Sequence, residues 1–208
     1  MAITIRSIKP KEKEIIDQVA ELHKRSFVGF FLSQLHPGFL RQLYKSFVVH
    51  KKSDLLVAFD GNKPVGFLAY SSATTRIYWF MLWRYFFPFV WYSFLSFLKK
   101  PSIFFKMFSA LRMPITHKRD HSYIKIFSIG VEDDYRVKEI GTELINELKR
   151  QTDFSKYNYI TLETDANDND TANNFYLKNG FTLSKDYFTF EGRHMNKYHY
   201  RQHENLVS

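Results

Sequence analysis

The chain of 208 residues contains no cysteine, and this absence excludes several kinds of chemistry. Disulfides, thiolate nucleophiles and cysteine-rich metal sites all require cysteine, and a chain without it suits a reducing compartment such as the cytosol. Two histidine pairs, His117 with His121 and His199 with His203, lie outside the predicted helices and lack the glutamate of a His-Glu-x-x-His motif. We therefore predict no metal site.

The sequence also lacks an apolar N-terminal run, an internal repeat and a low-complexity tract. We therefore predict no signal peptide, and the length predicts a single domain over residues 1–208. Lysine and arginine number 30 against 21 acidic residues, for a net charge of +9. This excess favours an anionic partner, which nucleic acid, an acidic membrane surface or a polyphosphate cofactor would all satisfy. Because no recognised nucleic-acid motif accompanies the charge, we expect no nucleic-acid partner.

The segment that organises the chain lies at residues 123–151. An apolar, β-branched run, YIKIFSIGV, ends in an acidic turn and predicts a strand. The residues that follow predict an amphipathic helix, since apolar side chains recur at helical spacing at Ile140, Leu144, Ile145 and Leu148. Unpaired N–H groups and the helix dipole favour an anion at such a helix start, so a phosphate or pyrophosphate is one natural ligand. An ordinary strand-helix unit with a solvated basic turn fits this segment equally well.

A second segment, NDTANNFYLKNGF, follows another predicted strand, Tyr159–Asp165. Together the two segments resemble the GNAT superfamily of acetyl-CoA-dependent N-acetyltransferases. After its fourth strand the family has Arg/Gln-x-x-Gly-x-Gly/Ala, and this chain has Arg136 and Gly141 in that pattern but Glu139 in place of the first glycine. The glutamate must point outward, or cofactor binding is weakened. The second family pattern is matched at all of its positions, which are Asn169, Ala172, Tyr176, Gly180 and Phe181.

The resemblance implies a GNAT-like α/β (α+β) fold, with a mixed, mostly antiparallel sheet of about seven strands flanked by helices. Periodicity and turn residues predict the other elements of such a fold: a strand at residues 2–8, helices at 11–27 and 39–50, a hairpin at 54–71 and a closing hairpin at 181–200. An aromatic-rich helical insertion at about residues 75–118 separates the third and fourth strands.

The resemblance also implies how acetyl-CoA is held as the acetyl donor. Pantetheine would pair with the backbone of Ile129 and Val131, in an opening that we expect a bulge at Gly130 to create. The pyrophosphate would bind the segment that contains Arg136, Val137, Lys138, Ile140, Gly141 and Thr142. Asn169 would order the loop or the cofactor.

Tyr176 matches the general acid of the family, which protonates the departing CoA thiolate; without the motif a core tyrosine would be favoured. For the general base our first candidate is Glu163, with Glu132 and His36 as alternatives. The segment at residues 28–37 either borders the acceptor site or is a buried loop that packs on the sheet. In the first case it would supply acceptor contacts through Phe31, Leu32, Gln34 and His36.

The insertion contains all three tryptophans. Residues 77–98 reach the length of about 20 apolar residues needed to span a membrane. The return segment at residues 101–111 is too short to span, so we predict a partly buried, partly interfacial helical pair that contacts anionic lipid headgroups. Packing on the domain or on a second subunit, as in a homodimer, is the alternative.

These features predict a cytoplasmic, membrane-associated N-acetyltransferase that acts on the primary amine of a small acceptor. Analogy alone suggests an amino sugar of surface-polysaccharide synthesis. The alternatives are a protein or peptide amine acetyltransferase and a catalytically inactive CoA-fold module that docks on a membrane or a protein through its insertion. A nucleic-acid-binding protein is the third hypothesis, after the acetyltransferase and the inactive docking module.

Overall fold

The structure is a computed structural model that describes residues 3–30, 32–84, 87, 91, 122–190 and 192–202. It confirms the predicted fold: one sheet of seven strands has the order β1-β2-β3-β4-β5-β7-β6, and all its pairs are antiparallel except β4 with β5. The strands are β1 Ile3–Ser7, β2 Ser53–Asp60, β3 Lys63–Ser71, β4 Tyr123–Val131, β5 Tyr159–Asp165, β6 Thr182–Phe188 and β7 His194–Tyr200.

The described helices are α1 Lys13–Ser26, α2 Pro37–Val49, α3 Thr74–Arg84, α4 Ile140–Gln151 and α5 Asp170–Lys178, with short 3-10 turns at Leu32–Gln34 and Asp133–Lys138. Helix α4 buries all of the side chains that helical spacing selects in the sequence, namely Ile140, Leu144, Ile145 and Leu148. Its opposite side carries charged residues, so burial of this apolar stripe fixes the helix against the sheet.

Two hydrophobic clusters cover the two faces of the sheet. On one face, which we call the α1 face, α1 and α2 pack through Val19, Leu22 and Leu40 against Val57 and Phe67 of the sheet. On the other face, which we call the α4 face, α4 and α5 pack against Leu56, Leu68, Ile160 and other strand residues. Because side chains alternate along a strand, neighbouring residues of β2 enter opposite clusters.

Strands β4 and β5 begin as a parallel pair and then separate. Pairing is restricted to three positions, Tyr123 with Tyr159, Ile124 with Ile160 and Lys125 with Thr161. Beyond Lys125, β4 keeps its antiparallel partner β3 and β5 keeps β7, so a gap opens between them within the sheet.

The bulge in β4 lies at Phe127, and the prediction of a bulge at Gly130 is wrong. Ser128 pairs with Ala69 and Ile126 with Tyr70, which leaves Phe127 as the extra residue. Gly130 pairs regularly with Phe67, and a Cβ at Gly130 would lie 2.7 Å from the Phe67 ring. The glycine is therefore explained by the close approach of an aromatic side chain.

The predicted aromatic insertion is described only in its first part. Helix α3, Thr74–Arg84, lies directly after β3, and Phe87 and Trp91 are also helical. The predicted return helix at residues 101–111 lies outside the described residues. Among the helices that the structure does describe, none has the length and apolar character needed to cross a bilayer.

Candidate active site

The gap between β4 and β5 presents backbone groups of β4. The N–H of Glu132 donates to the carbonyl of Val65 on β3, at 2.9 Å. Because successive residues of a strand point their backbone groups to opposite sides, those of Ile129 and Val131 point away from β3 and into the gap. The Val131 carbonyl accepts a hydrogen bond from the Ser26 hydroxyl at 3.2 Å. Both predicted pantetheine contacts thus face the gap, and Ser26 engages one of the carbonyls.

Helix α4 begins beyond the C-terminal end of β4 without a side-chain cap. Glu139 is its N-cap residue and has left-handed backbone geometry, with φ of 56°, while its carbonyl accepts from the Glu143 N–H at 3.0 Å. The Glu139 side chain does not cap this helix start. The first N–H groups of α4, from Ile140 to Thr142, therefore retain their capacity to bind an anion.

Glu139 takes the backbone conformation that glycine adopts most easily. Left-handed geometry costs a residue with a Cβ about 1 kcal/mol or more, and glycine avoids this cost. The Glu139 side chain is 63% exposed and its carboxylate lies 3.0 Å from Lys178 Nζ on α5. The glutamate points outward, which is the first of the two alternatives that the sequence leaves open for Glu139.

The other residues of the predicted pyrophosphate segment have different surroundings. Arg136 and Val137 belong to the 3-10 turn Asp133–Lys138. Lys138 is exposed, with its Nζ 4.2 Å from the Tyr135 ring centroid. A Cβ at Gly141 would lie 3.0 Å from the Phe175 ring, so this glycine allows α5 to approach α4 closely.

Tyr176 lies on α5 and is buried on the α4 face. Its ring packs against Phe175, Phe181 and Tyr198, with centroid distances of 5.3, 6.0 and 5.9 Å. Burial raises the pKa of Tyr176 far above its ordinary value of 10. The hydroxyl therefore keeps its proton at neutral pH, which is the state that a general acid needs.

Asn169 connects the end of β5 with the start of α5. Its Nδ2 donates to Thr164 Oγ1 at 2.7 Å and to the Asp165 carbonyl at 3.4 Å. These contacts order the loop, which is one of the two roles predicted for Asn169.

The sequence reasoning missed Asn173, which holds three elements together. Its Nδ2 donates to the carbonyls of Asp165 and Asn169, and its Oδ1 accepts from Asn196 Nδ2 and the Tyr198 hydroxyl, all within 3.0 Å. Every hydrogen-bonding position of the buried amide is used, so α5 is fixed against β5 and β7. One sequence feature could have indicated Asn173. Asparagine has a low helix propensity, so an asparagine inside a short helix indicates a specific hydrogen-bonding role.

Glu163 lies on β5 and on the α1 face, opposite to Tyr176. Its Oε2 is 2.6 Å from Lys125 Nζ. Burial raises the pKa of the Glu163 carboxyl, but the charge and hydrogen bond of Lys125 outweigh burial and lower this pKa. The carboxylate is therefore ionised at neutral pH and is a weak base while Lys125 holds it.

The two alternative bases have structural partners. Glu132 forms a bidentate ion pair with Arg25 on α1, at 2.9 and 3.1 Å. His36 is the N-cap of α2, where its Nδ1 accepts from the Gly38 N–H at 3.1 Å.

The predicted acceptor loop makes contacts within itself and with the core. Leu32 packs against the cluster on the α1 face, and Gln34 Nε2 donates to the Gly29 carbonyl at 3.2 Å. Phe31 lies outside the described residues. These contacts agree with the packed-loop alternative, and the acceptor role of Phe31, Leu32, Gln34 and His36 stays a prediction.

Comparison with known proteins identifies the protein family to which the chain belongs. The family model "Acetyltransferase (GNAT) family" matches residues 16–181. The chain therefore belongs to the GNAT family of acetyltransferases. Among curated proteins, none matches the chain.

Solved structures share the fold at low sequence identity. An acetyltransferase from Thermus thermophilus is 12% identical, with a TM-score of 0.60 over 97% of this chain and 98% of the other. The ribosomal-protein-S18-alanine N-acetyltransferase from Escherichia coli is 13% identical, with a TM-score of 0.57 over 100% of both chains. Arabidopsis thaliana NAA60, in complex with acetyl-CoA, is 17% identical, with a TM-score of 0.55 over 96% of this chain and 98% of the other.

Proposed function

We propose that the protein is an N-acetyltransferase that moves the acetyl group of acetyl-CoA to a primary amine of a small acceptor. The observation that carries this proposal is the gap between β4 and β5, which opens after three paired positions. The backbone of Ile129 faces this gap, and an uncapped helix start follows β4 in the chain.

The residues present fit a CoA thioester. The backbone groups of Ile129 and Val131 are oriented to pair with an extended amide chain, as an added strand would. The N–H groups from Ile140 to Thr142 suit a pyrophosphate, and the Glu139 carboxylate pairs with Lys178 and does not cap them. Bound acetyl-CoA supplies the thioester that the amine attacks.

We assign the general acid to Tyr176 and the general base to Glu163. The Tyr176 hydroxyl retains its proton on the α4 face and donates it to the departing sulfur. The Glu163 carboxylate is ionised on the α1 face and takes the proton of the amine, directly or through a water. The two residues approach the sheet from opposite faces, Tyr176 from α5 on the α4 face and Glu163 from β5 on the α1 face.

The acceptor class is the finer part of the proposal. We favour a small amine, with an amino sugar of surface-polysaccharide synthesis as the first candidate, and place the acceptor against Phe31, Leu32, Gln34 and His36. Relatives with the same fold include an aminoglycoside 6'-acetyltransferase and the enzyme for the ribosomal protein S18 alanine. Because these acceptors differ so widely, the fold leaves a protein or peptide amine as the alternative.

Calorimetric titration of the purified protein with acetyl-CoA tests the proposal. Saturable binding that weakens with dephospho-CoA, which lacks the 3′-phosphate, is expected, together with CoA release when small amines are added. Absence of binding would overturn the proposal. Binding without CoA release from any amine would favour the inactive docking module.

An exposed aromatic stripe favours a second role, attachment to an anionic membrane surface. Trp79 and Trp83 lie one helical turn apart on α3 and are 46% and 79% exposed, and Phe87 continues the spacing at 81%. Tryptophan is enriched at membrane interfaces, and the net charge of +9 suits anionic headgroups. We propose peripheral membrane contact of a cytoplasmic protein through this stripe, with a homodimer as the alternative.

A further inference from the structure

Four charged residues form one row across the α1 face, on four adjacent strands. Glu163 on β5 is directly opposite Lys197 on β7, and Lys197 is directly opposite Lys185 on β6. Lys125 on β4 completes the row through its contact with Glu163, at 2.6 Å. Directly opposed residues of a sheet share a face, and Lys125 is directly opposite Thr161, which lies two positions before Glu163 on β5, so all four side chains project from the same side. We call this set the charge row.

The charge row has one acidic member and three basic members. Lys125 and Glu163 neutralise each other as an ion pair. Lys185 Nζ lies 5.5 Å from the centroid of the Tyr187 ring, and the charge of Lys197 helps to lower the pKa of Glu163, which is directly opposite on β5. In the described part of the chain the salt bridge of Glu163 is made with Lys125, and neither Lys185 nor Lys197 forms one. Like charges placed directly opposite each other on a sheet are unfavourable, so this pair of ammonium groups suits an anionic ligand that contacts both.

Aromatic rings lie beside the row on the same face. Tyr123 stacks on Tyr159 at a centroid distance of 5.5 Å, and Tyr159 stacks on His199 at 4.2 Å. Tyr123 lies two positions before Lys125, His199 two positions after Lys197, and Tyr159 four positions before Glu163, so all three lie on the same face as the row. Tyr187 of β6, two residues beyond Lys185, interacts with the Glu163 carboxylate.

The arrangement combines an acidic group suited to an amine with two lysines suited to an anion. We propose that the acceptor amine carries a phosphate group, which binds Lys185 and Lys197 while its amine lies toward Glu163. Lysine binds phosphate as a point charge, and two ammonium groups match the double charge of a phosphate monoester. This inference rests on the proposed function, since it names the acceptor class of the same site.

Matched probes test the inference. The CoA-saturated protein is titrated calorimetrically with glucosamine 6-phosphate and with glucosamine, and with 2-aminoethyl phosphate and ethanolamine, so that each pair differs by one phosphate. At least one phosphorylated probe is expected to bind tenfold or more tightly than its partner. Lys197→Gln and Lys185→Gln should each reduce this preference several-fold, and the double variant should abolish it.

The control is Lys13→Gln, which removes the same charge from an exposed position at the start of α1. It should leave the preference unchanged. Equal affinities within each pair, no binding of either phosphorylated probe, or a preference that survives the double variant would each overturn the inference. If CoA does not bind, the proposed function fails, and the same titrations of the ligand-free protein still decide whether the charge row binds phosphate.

Discussion

Tyr176 is a buried tyrosine whose ring and hydroxyl have separable roles. The ring packs against Phe175, Phe181 and Tyr198, and no hydrogen bond of its hydroxyl occurs among the described residues. Phenylalanine at position 176 keeps this packing and removes only the proton donor. Tyr176→Phe should therefore lower kcat by about 100-fold or more and change acetyl-CoA affinity by less than about twofold.

Tyr198→Phe is the matched control for this prediction. It removes a tyrosine hydroxyl from the same cluster, but one that donates to Asn173 Oδ1 at 2.8 Å. We expect it to cost about 1 kcal/mol of unfolding free energy with little loss of kcat. Steady-state kinetics and urea denaturation of both variants make the comparison, and nearly unchanged turnover in Tyr176→Phe would remove the assignment of the acid.

His23 makes the stability of the protein sensitive to acid. The ring is buried between α1 and the sheet, with Nδ1 2.6 Å from the Tyr44 hydroxyl and Nε2 without a hydrogen-bond partner in the described structure. Burial lowers the pKa of His23 from 6.5 to about 4. Between these values the unfolded chain binds more protons at His23 than the folded chain, so the contribution of His23 to stability is complete above pH 6.5 and is lost as the pH falls toward 4.

His23→Asn isolates this contribution, because asparagine can keep a hydrogen bond to Tyr44 and does not titrate. Between pH 7.5 and pH 4.5 the unmodified protein should lose about 3 kcal/mol more unfolding free energy than the variant. Urea denaturation at the two pH values measures both losses. Parallel losses in the two proteins would show that His23 does not carry the effect.

At the scale of the element, α3 exposes more large apolar side chains than any other helix in the described ranges, namely Tyr78, Trp79 and Trp83. Trp79 and Trp83 should anchor it at a membrane surface through their amphipathic rings. We predict flotation with vesicles of phosphatidylcholine containing about a third phosphatidylserine at low salt, weakened at high salt as surface electrostatics are screened. The double variant Trp79→Gln, Trp83→Gln should float several-fold less.

The matched control for α3 is Phe190→Gln. Phe190 is 95% exposed and follows β6, so the change removes an even more exposed aromatic ring from a position outside α3. Unchanged flotation in this control is expected. Equal flotation of the α3 variant and the unmodified protein, or no flotation at all, would remove the membrane proposal and favour a second subunit.

The elements show why some features could be predicted from sequence and others could not. The buried side of α4 follows directly from helical spacing, because four apolar residues on one stripe have a single stable orientation. The bulge at Phe127 has no such local signal. It depends on how β4 pairs with β3, and Gly130, the residue that suggested a bulge, is required by the Phe67 ring.

At the scale of the whole molecule, the two motifs predict the fold and the general position of the candidate site. Residues far apart in sequence decide the electrostatics of that site. The contact of Lys125 with Glu163, and the placement of Lys185 and Lys197 beside it, depend on the register of four strands. The sequence contains no local pattern that specifies this register, so the weakened basicity of Glu163 could not be anticipated.

The place of β7 in the sheet has a consequence for synthesis of the chain. The seventh strand to leave the ribosome is inserted between β5 and β6, and it brings Lys197 and Tyr198 with it. Until it emerges, a nascent chain holds a β5 strand with one open edge and an α5 helix without its Asn173 anchor on β7. A chain that ends shortly before residue 194 would therefore keep this open edge exposed to chaperones and would lack Lys197 of the charge row.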